Sequence, residues 1–248
     1  EALEALLKPD RSQETQAAQA MAIHDRKIGD DFRLPKGIRW ILAGNMPEHR
    51  AGANKILTMV LDRCIHIEMA PDHSDWNQHA IAAGIGVEVR GYLNQFPRDL
   101  FDFEPAAGHL AWATPRGWFK VDNLIKSVRE DLIFPAVAGK VGEDKAVKFN
   151  AFRTVYSQMP DPDECLKNPG KCTLPDTSSA ASPAMYYALC TALAERLRGK
   201  TAKDANLFDR YAELANRMPK EFGCLTMRDG QAVCNLLTAG KLFDDAAR

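Results

Sequence analysis

The sequence predicts an α/β segment followed by a mostly helical remainder, and three observations carry that prediction. Ile38 to Ala43 (IRWILA) is a nearly continuous apolar run between Gly37 and Gly44, the pattern of a strand buried on both faces. Ala53 to Asp62 fits a helix, and Cys64 to Met69 (CIHIEM) then alternates as a second strand would. Strand, loop, helix, strand is the order of an α/β layer. From Pro71 on, apolar residues recur at helical spacing between short Gly and Pro breaks.

The elements follow in order. Gln16 to Ile23 is alanine-rich and helix-prone, and Asp25 to Gly29 ends it with charge and a glycine. Leu34-Pro35-Lys36-Gly37 predicts a turn before the apolar run. After Pro71-Asp72, DWNQHAIAAGI reads as a helix that stops at Gly84, and Val87 to Phe96 as a second amphipathic one. Thr114-Pro115 opens a third: Thr114 suits the N-cap, and Pro115 the first-turn position where its missing N–H costs nothing. Its apolar face is Trp118, Val121, Leu124, Ile125 and Val128. Met159 to Ser182, proline-rich and poor in apolar residues, predicts a loop or tether. Ala184 to Arg198, Leu207 to Met218 and Glu221 to Leu237 predict three further helices.

Composition narrows the function classes. Among 248 residues, 32 basic against 33 acidic side chains give no net drive towards phosphate backbones or anionic lipid, which disfavours a bulk-charge nucleic-acid or membrane binder. No apolar run reaches the roughly 18 residues of a membrane span. The opening EALEALLKPDR lacks the pattern of a signal peptide, and a cytoplasmic location is expected. The six cysteines, at 64, 165, 172, 190, 224 and 234, have no histidine placed to complete a zinc set and read as reduced, mostly structural thiols. The histidines show no metal spacing, and no serine or cysteine sits in a nucleophile elbow. Gly199-Lys200-Thr201 is no P-loop, since a glycine is required where Ala194 stands inside a helix.

Three polar positions carry chemistry. Asn45 follows the apolar run, and in open parallel sheets ligands bind outside the carboxyl ends of strands. Its amide can donate to a phosphate oxygen and hold a water through its carbonyl; a turn-forming Asn before Pro47 is the plainer reading. Arg63, at a corner between helix and strand, has the base needed to reach a neighbouring subunit's phosphate, or simply complements a helix dipole. Arg116 lies in the first turn of the capped helix, where a cation is unfavourable to the helix itself and so points to function; a surface salt bridge is the alternative.

Order and spacing together resemble the MoxR-like branch of the AAA+ ATPases, in the bacterial and phage form with a helical C-terminal region. Gln16-Ala17-Ala18 with Asp25 to Gly29 is similar to the helix after the Walker B strand. Ile41 to Asn45 followed by Arg50-Ala51-Gly52-Ala53-Asn54 resembles the sensor 1 strand and the segment after it, with His49 in place of the usual acidic residue. Leu61-Asp62-Arg63 resembles the arginine-finger corner, with Cys64 where an aromatic is usual. Asp75-Trp76 and Ala113 to Trp118 resemble the start of the lid and the sensor 2 helix, and Pro219 to Phe222 with Arg228-Asp229 are also similar.

The resemblance implies a partial AAA+ P-loop NTPase core over 1–70, a helical lid over 71–132 and a helical accessory domain over 133–248. It implies ATP and Mg2+ as cofactors, Asn45 as the sensor aligning the attacking water, Arg63 as a finger acting in the adjacent subunit, and Arg116 as the lid residue on nucleotide phosphate. It implies a homo-oligomeric, hexameric ring and a partner with a von Willebrand factor A domain. No GxxxxGK[ST] loop occurs, and EALEALL reads as helix where a Walker B strand would end, so this reading puts the P-loop half upstream of Glu1. A non-hydrolysing AAA+-derived scaffold is the alternative. A DNA-acting AAA+ protein ranks last, because the C-terminal helices are mixed in charge.

Overall fold

The computed structural model describes residues 20, 22–28, 32–35, 37–44, 58–103 and 110–246, with side chains up to Cys234 apart from those of Met59 and Ala202. The chain divides into two compact units: Glu1–Ala70 with 104–107, and Pro71–Phe103 with Gly108–Arg248.

In the first unit, residues 22–25 are helical, and Arg26 then turns the chain with φ of 52°. Two-residue strands β1 (Lys27–Ile28) and β2 (Phe32–Arg33) pair antiparallel, Lys27 opposite Arg33. One turn of helix, α1 (Thr58–Leu61), falls inside the stretch expected to be helical. The two expected strands are corrected. Residues 38–43 and 65–69 carry no regular secondary structure, and Ile41, Ile65, Ile67 and Met69 are between 81% and 92% exposed. An apolar run becomes a buried strand only when neighbouring strands satisfy its backbone, and among the described residues none lies beside either segment. The α/β layer is therefore not seen among the described residues; what is seen is mostly helix.

The second unit holds nine α-helices among its described residues: α2 (His73–Ala82), α3 (Val87–Gln95), α4 (Pro115–Ser127), α5 (Glu130–Val141), α6 (Glu143–Tyr156), α7 (Pro162–Lys167), α8 (Ser182–Glu195), α9 (Ala205–Arg217) and α10 (Lys220–Ala246). Local signals set their ends. Asp72 caps α2 by accepting from the Asp75 N–H, and Thr114 caps α4 by accepting from the Gly117 N–H at 2.9 Å, with Pro115 at the first position as expected. Gly142, at φ of 95°, makes the turn between α5 and α6, a conformation closed to most side chains.

Helix α8 is the axis of this unit. Nearly every residue from Ala188 to Ala194 is buried, so the helix is covered all round, by α3, α6, α7 and α10. On one side lies an aromatic core: Tyr92 packs against Trp118 (5.2 Å between ring centroids), Phe149 (5.3 Å) and Phe152 (5.9 Å). On the other, Leu189, Leu193 and Leu197 meet Tyr211, Leu214 and Phe222. Helices α9 and α10 approach so closely that a Cβ on Gly223 would stand 2.6 Å from the Ala215 carbonyl oxygen. Arg153 of α6 ties Glu88 of α3 (2.7 Å) to Glu130 of α5 (2.9 Å). The aromatic core joins residues on both sides of 132/133, among them Trp76, Trp118, Ile133 and Phe149.

Two further expectations change. Residues 159–182 are no free tether: Asp161 and Pro162 start α7, Arg196 grips Asp163 with two hydrogen bonds (2.8 and 2.9 Å), and the Tyr186 hydroxyl donates to the Pro175 carbonyl. The cysteines are not all reduced either, since Cys165 and Cys172 form a disulfide across this segment with their Cα atoms 4.8 Å apart. The folded loop brings together two thiols that a seven-residue spacing leaves undecided.

Candidate functional site

Of the three residues singled out in the sequence, Asn45 lies outside the described residues. Arg63 belongs to the first unit and Arg116 to the second. Arg63 is exposed in the turn that closes α1, where its N–H donates to the Val60 carbonyl at 3.2 Å.

Arg116 is the exposed residue of an otherwise locked turn. Before it, Thr114 caps the helix, and the Pro115 carbonyl accepts from the Trp76 indole at 3.3 Å. After it, Gly117 is buried, and Trp118 is fully buried with its indole donating to the Asp99 carbonyl at 2.8 Å. Four neighbours are thus fixed by a cap, two indole hydrogen bonds and close packing, while the guanidinium projects to solvent. None of the ion pairs among the described residues includes it. A guanidinium on such a base can meet an anion without a further cost in backbone ordering.

A second constellation was not legible in advance: a polar cluster inside the helical unit. The Asn94 amide nitrogen donates to Thr191 Oγ1 (3.1 Å) and to Asp229 Oδ2 (3.0 Å), joining α3, α8 and α10. Asp229 Oδ1 accepts from Arg228 Nη2 at 3.0 Å, and Thr191 donates to the Tyr187 carbonyl. One turn before Asn94, buried Arg90 donates to Glu195 at 3.0 Å, and Glu195 also accepts from Arg198. Burial lowers the Arg90 guanidinium from its ordinary value, with the Glu195 carboxylate opposing. Five side-chain atoms are buried without a partner among the described residues: His73 Nε2, Asn77 Oδ1, Arg90 Nε, Asn94 Oδ1 and Gln95 Oε1.

Above the cluster opens a cleft of about 330 Å3, into which His73, Asn94, Tyr187, Glu221, Cys224 and Arg228 face together with Pro97, Phe222 and Leu225. Burial, and then the nearby Arg228 charge, lower the His73 imidazole below its ordinary value, with Asp229 and Asp72 opposing. Burial and the Glu221 carboxylate raise the Tyr187 phenol. In contrast, Cys190 beneath the cleft is inert: burial pushes its thiol up to about 12.

Among the described residues no group of three or more His, Cys, Asp or Glu side chains is placed to hold a metal ion. No helix among them is long and apolar enough to cross a membrane. Compared with family models, curated proteins and solved structures, the chain matches none.

Proposed function

We propose that this chain is the C-terminal part of a MoxR-like AAA+ ATPase, in which a hexameric ring couples ATP hydrolysis to remodelling or assembling a protein partner, one with a von Willebrand factor A domain. The observation that carries the reading is the first turn of α4. A side chain that must grip a phosphate at each cycle needs a charge that never titrates and a backbone that does not yield, and Arg116 has both. The N-terminal field of α4 favours the same anion.

The described residues fit the anionic end of a nucleotide and nothing more. Arg116 supplies a cation for phosphate oxygens, whereas no ligand set for Mg2+ is present among them, so the metal is assigned to none of these side chains. ATP, when bound, supplies the phosphoanhydride bond that water breaks to give ADP and phosphate. Arg116 binds and orients the phosphates; Arg63 reaches the phosphates in the adjacent subunit's site, and Asn45 holds the attacking water. Guanidinium contact with the charge that spreads in such a transition state is worth about 10³- to 10⁵-fold in rate.

The test is ATP turnover and nucleotide binding by the full polypeptide that carries this chain. Arg116→Ala is expected to leave the melting temperature unchanged, since its side chain takes no part in the core, and to lower turnover at least about tenfold. Arg63→Ala is expected to keep nucleotide binding and lose most hydrolysis. Parental turnover in both variants, or no nucleotide binding by the full polypeptide, overturns the reading.

A further inference from the structure

We propose that the cleft between α2, α3, α8 and α10 binds the end of a peptide chain, held by its free carboxylate and its last amide N–H. The inference uses residues of the second unit alone and does not rest on the ATPase reading.

The lining comes from one face of α10: Glu221, Cys224, Leu225 and Arg228 stand at i, i+3, i+4 and i+7. A carboxylate and a guanidinium therefore mark its two ends, seven residues or about 10 Å apart along the helix. Asp229 behind Arg228 takes two of the guanidinium's five N–H donors on a single oxygen, which fixes the fork and leaves its other donors to receive an anion. Asn94 is 6% exposed; its amide nitrogen is fully used on Thr191 and Asp229, and its Oδ1 has no partner among the described residues. The Asn94 side chain lines the cleft, so an occupant that shifts the atoms covering Oδ1 can give it an N–H. Phe222, Leu225 and the Tyr187 ring form an apolar wall between these polar groups, and His73 Nε2, also unpartnered, offers one more hydrogen bond.

An N–H, an apolar side chain and a carboxylate in close sequence are the three groups of the last residue of a peptide. The spacing rules out a free amino acid as the best occupant. Its ammonium and carboxylate are separated by one carbon, whereas the distance from Arg228 to Glu221 corresponds to about three extended residues. The chain end thus sits at Arg228 and leaves past Glu221, which selects a basic residue third from the end. A volume of about 330 Å3 is at the small end of pockets that take organic ligands and suits a chain terminus, not a folded surface.

The test measures fluorescence anisotropy of an N-terminally labelled pentapeptide with leucine last and lysine third from last, as the free acid and as the C-terminal amide, on the full chain. The free acid is expected to bind saturably and about tenfold more tightly than the amide. Arg228→Gln is expected to remove that difference, weakening the acid and leaving the amide unchanged, which a merely structural role would not do. Bound peptide is expected to slow alkylation of Cys224 by iodoacetamide and to leave Cys64 unaffected. Equal affinity for acid and amide, equal weakening of both by Arg228→Gln, or no saturable binding up to about 1 mM overturns the proposal. Should Arg228→Gln lower the melting temperature, the acid and amide comparison on the parent protein decides alone.

Discussion

The two sides of α8 solve burial in different ways. On the aromatic side the polar ends of two core rings have partners: the Tyr92 hydroxyl donates to Asp99 at 2.6 Å and the Trp118 indole to the Asp99 carbonyl, while the rings pack edge to face around them. On the other side Asn94, Thr191 and Asp229 are buried together, and Asn94 Oδ1 stays unpartnered among the described residues. An unsatisfied buried polar atom costs about 1–3 kcal/mol, so the second arrangement is not there for stability. The difference separates a core that holds the fold from one that spends part of that stability on a binding surface.

The sharpest way to break this comparison is to cut into each core. Trp118→Ala removes a fully buried side chain at the centre of the ring cluster and is expected to cost about 3–5 kcal/mol in urea unfolding. Asn94→Ala strips Thr191 and Asp229 of a donor and is expected to cost about 1–3 kcal/mol by the same measurement. If Asn94→Ala proves as damaging as Trp118→Ala, the polar cluster is a structural keystone and the contrast fails.

The smallest effect is a slope. The His73 imidazole titrates lower in the folded chain than its ordinary 6.5, so between the two values the unfolded chain binds more protons. The stabilisation from neutral His73 is therefore fully present above pH 6.5 and is lost as pH falls through the lowered value. His73→Gln is expected to flatten unfolding free energy against pH below 6.5 without changing it at pH 8. An unchanged slope in the variant assigns the titration to other groups.

Much of the helical unit is legible in the sequence. Helical spacing gives α2 to α4 and α8 to α10, and Thr114-Pro115 gives the start of α4 to the residue. The strands are misread because a strand depends on partners far along the chain, and an apolar run such as IRWILA does not say whether they are there. The segment 159–182 holds its own helix start in Asp161-Pro162, which proline content obscures. The cleft is hidden for a different reason. His73, Asn94, Tyr187 and Arg228 come from four helices spread over more than half the sequence, and polar residues four apart, as at Arg90 and Asn94, carry the same pattern as a wet helix face. The place of Arg116 on the capped first turn is legible because its signal is local: a cap, a proline and a cation in consecutive positions.

Because Tyr187 and Met159 pack against both cores, neither side can come apart while the other stays native. Heating or denaturant should thus take the unit from α3 to α10 through a single transition, with the α8 amides exchanging hydrogen for deuterium only when the whole unit opens. Any molecule that settles in the cleft then guards the distant aromatic rings as well, and slows exchange at positions it never touches.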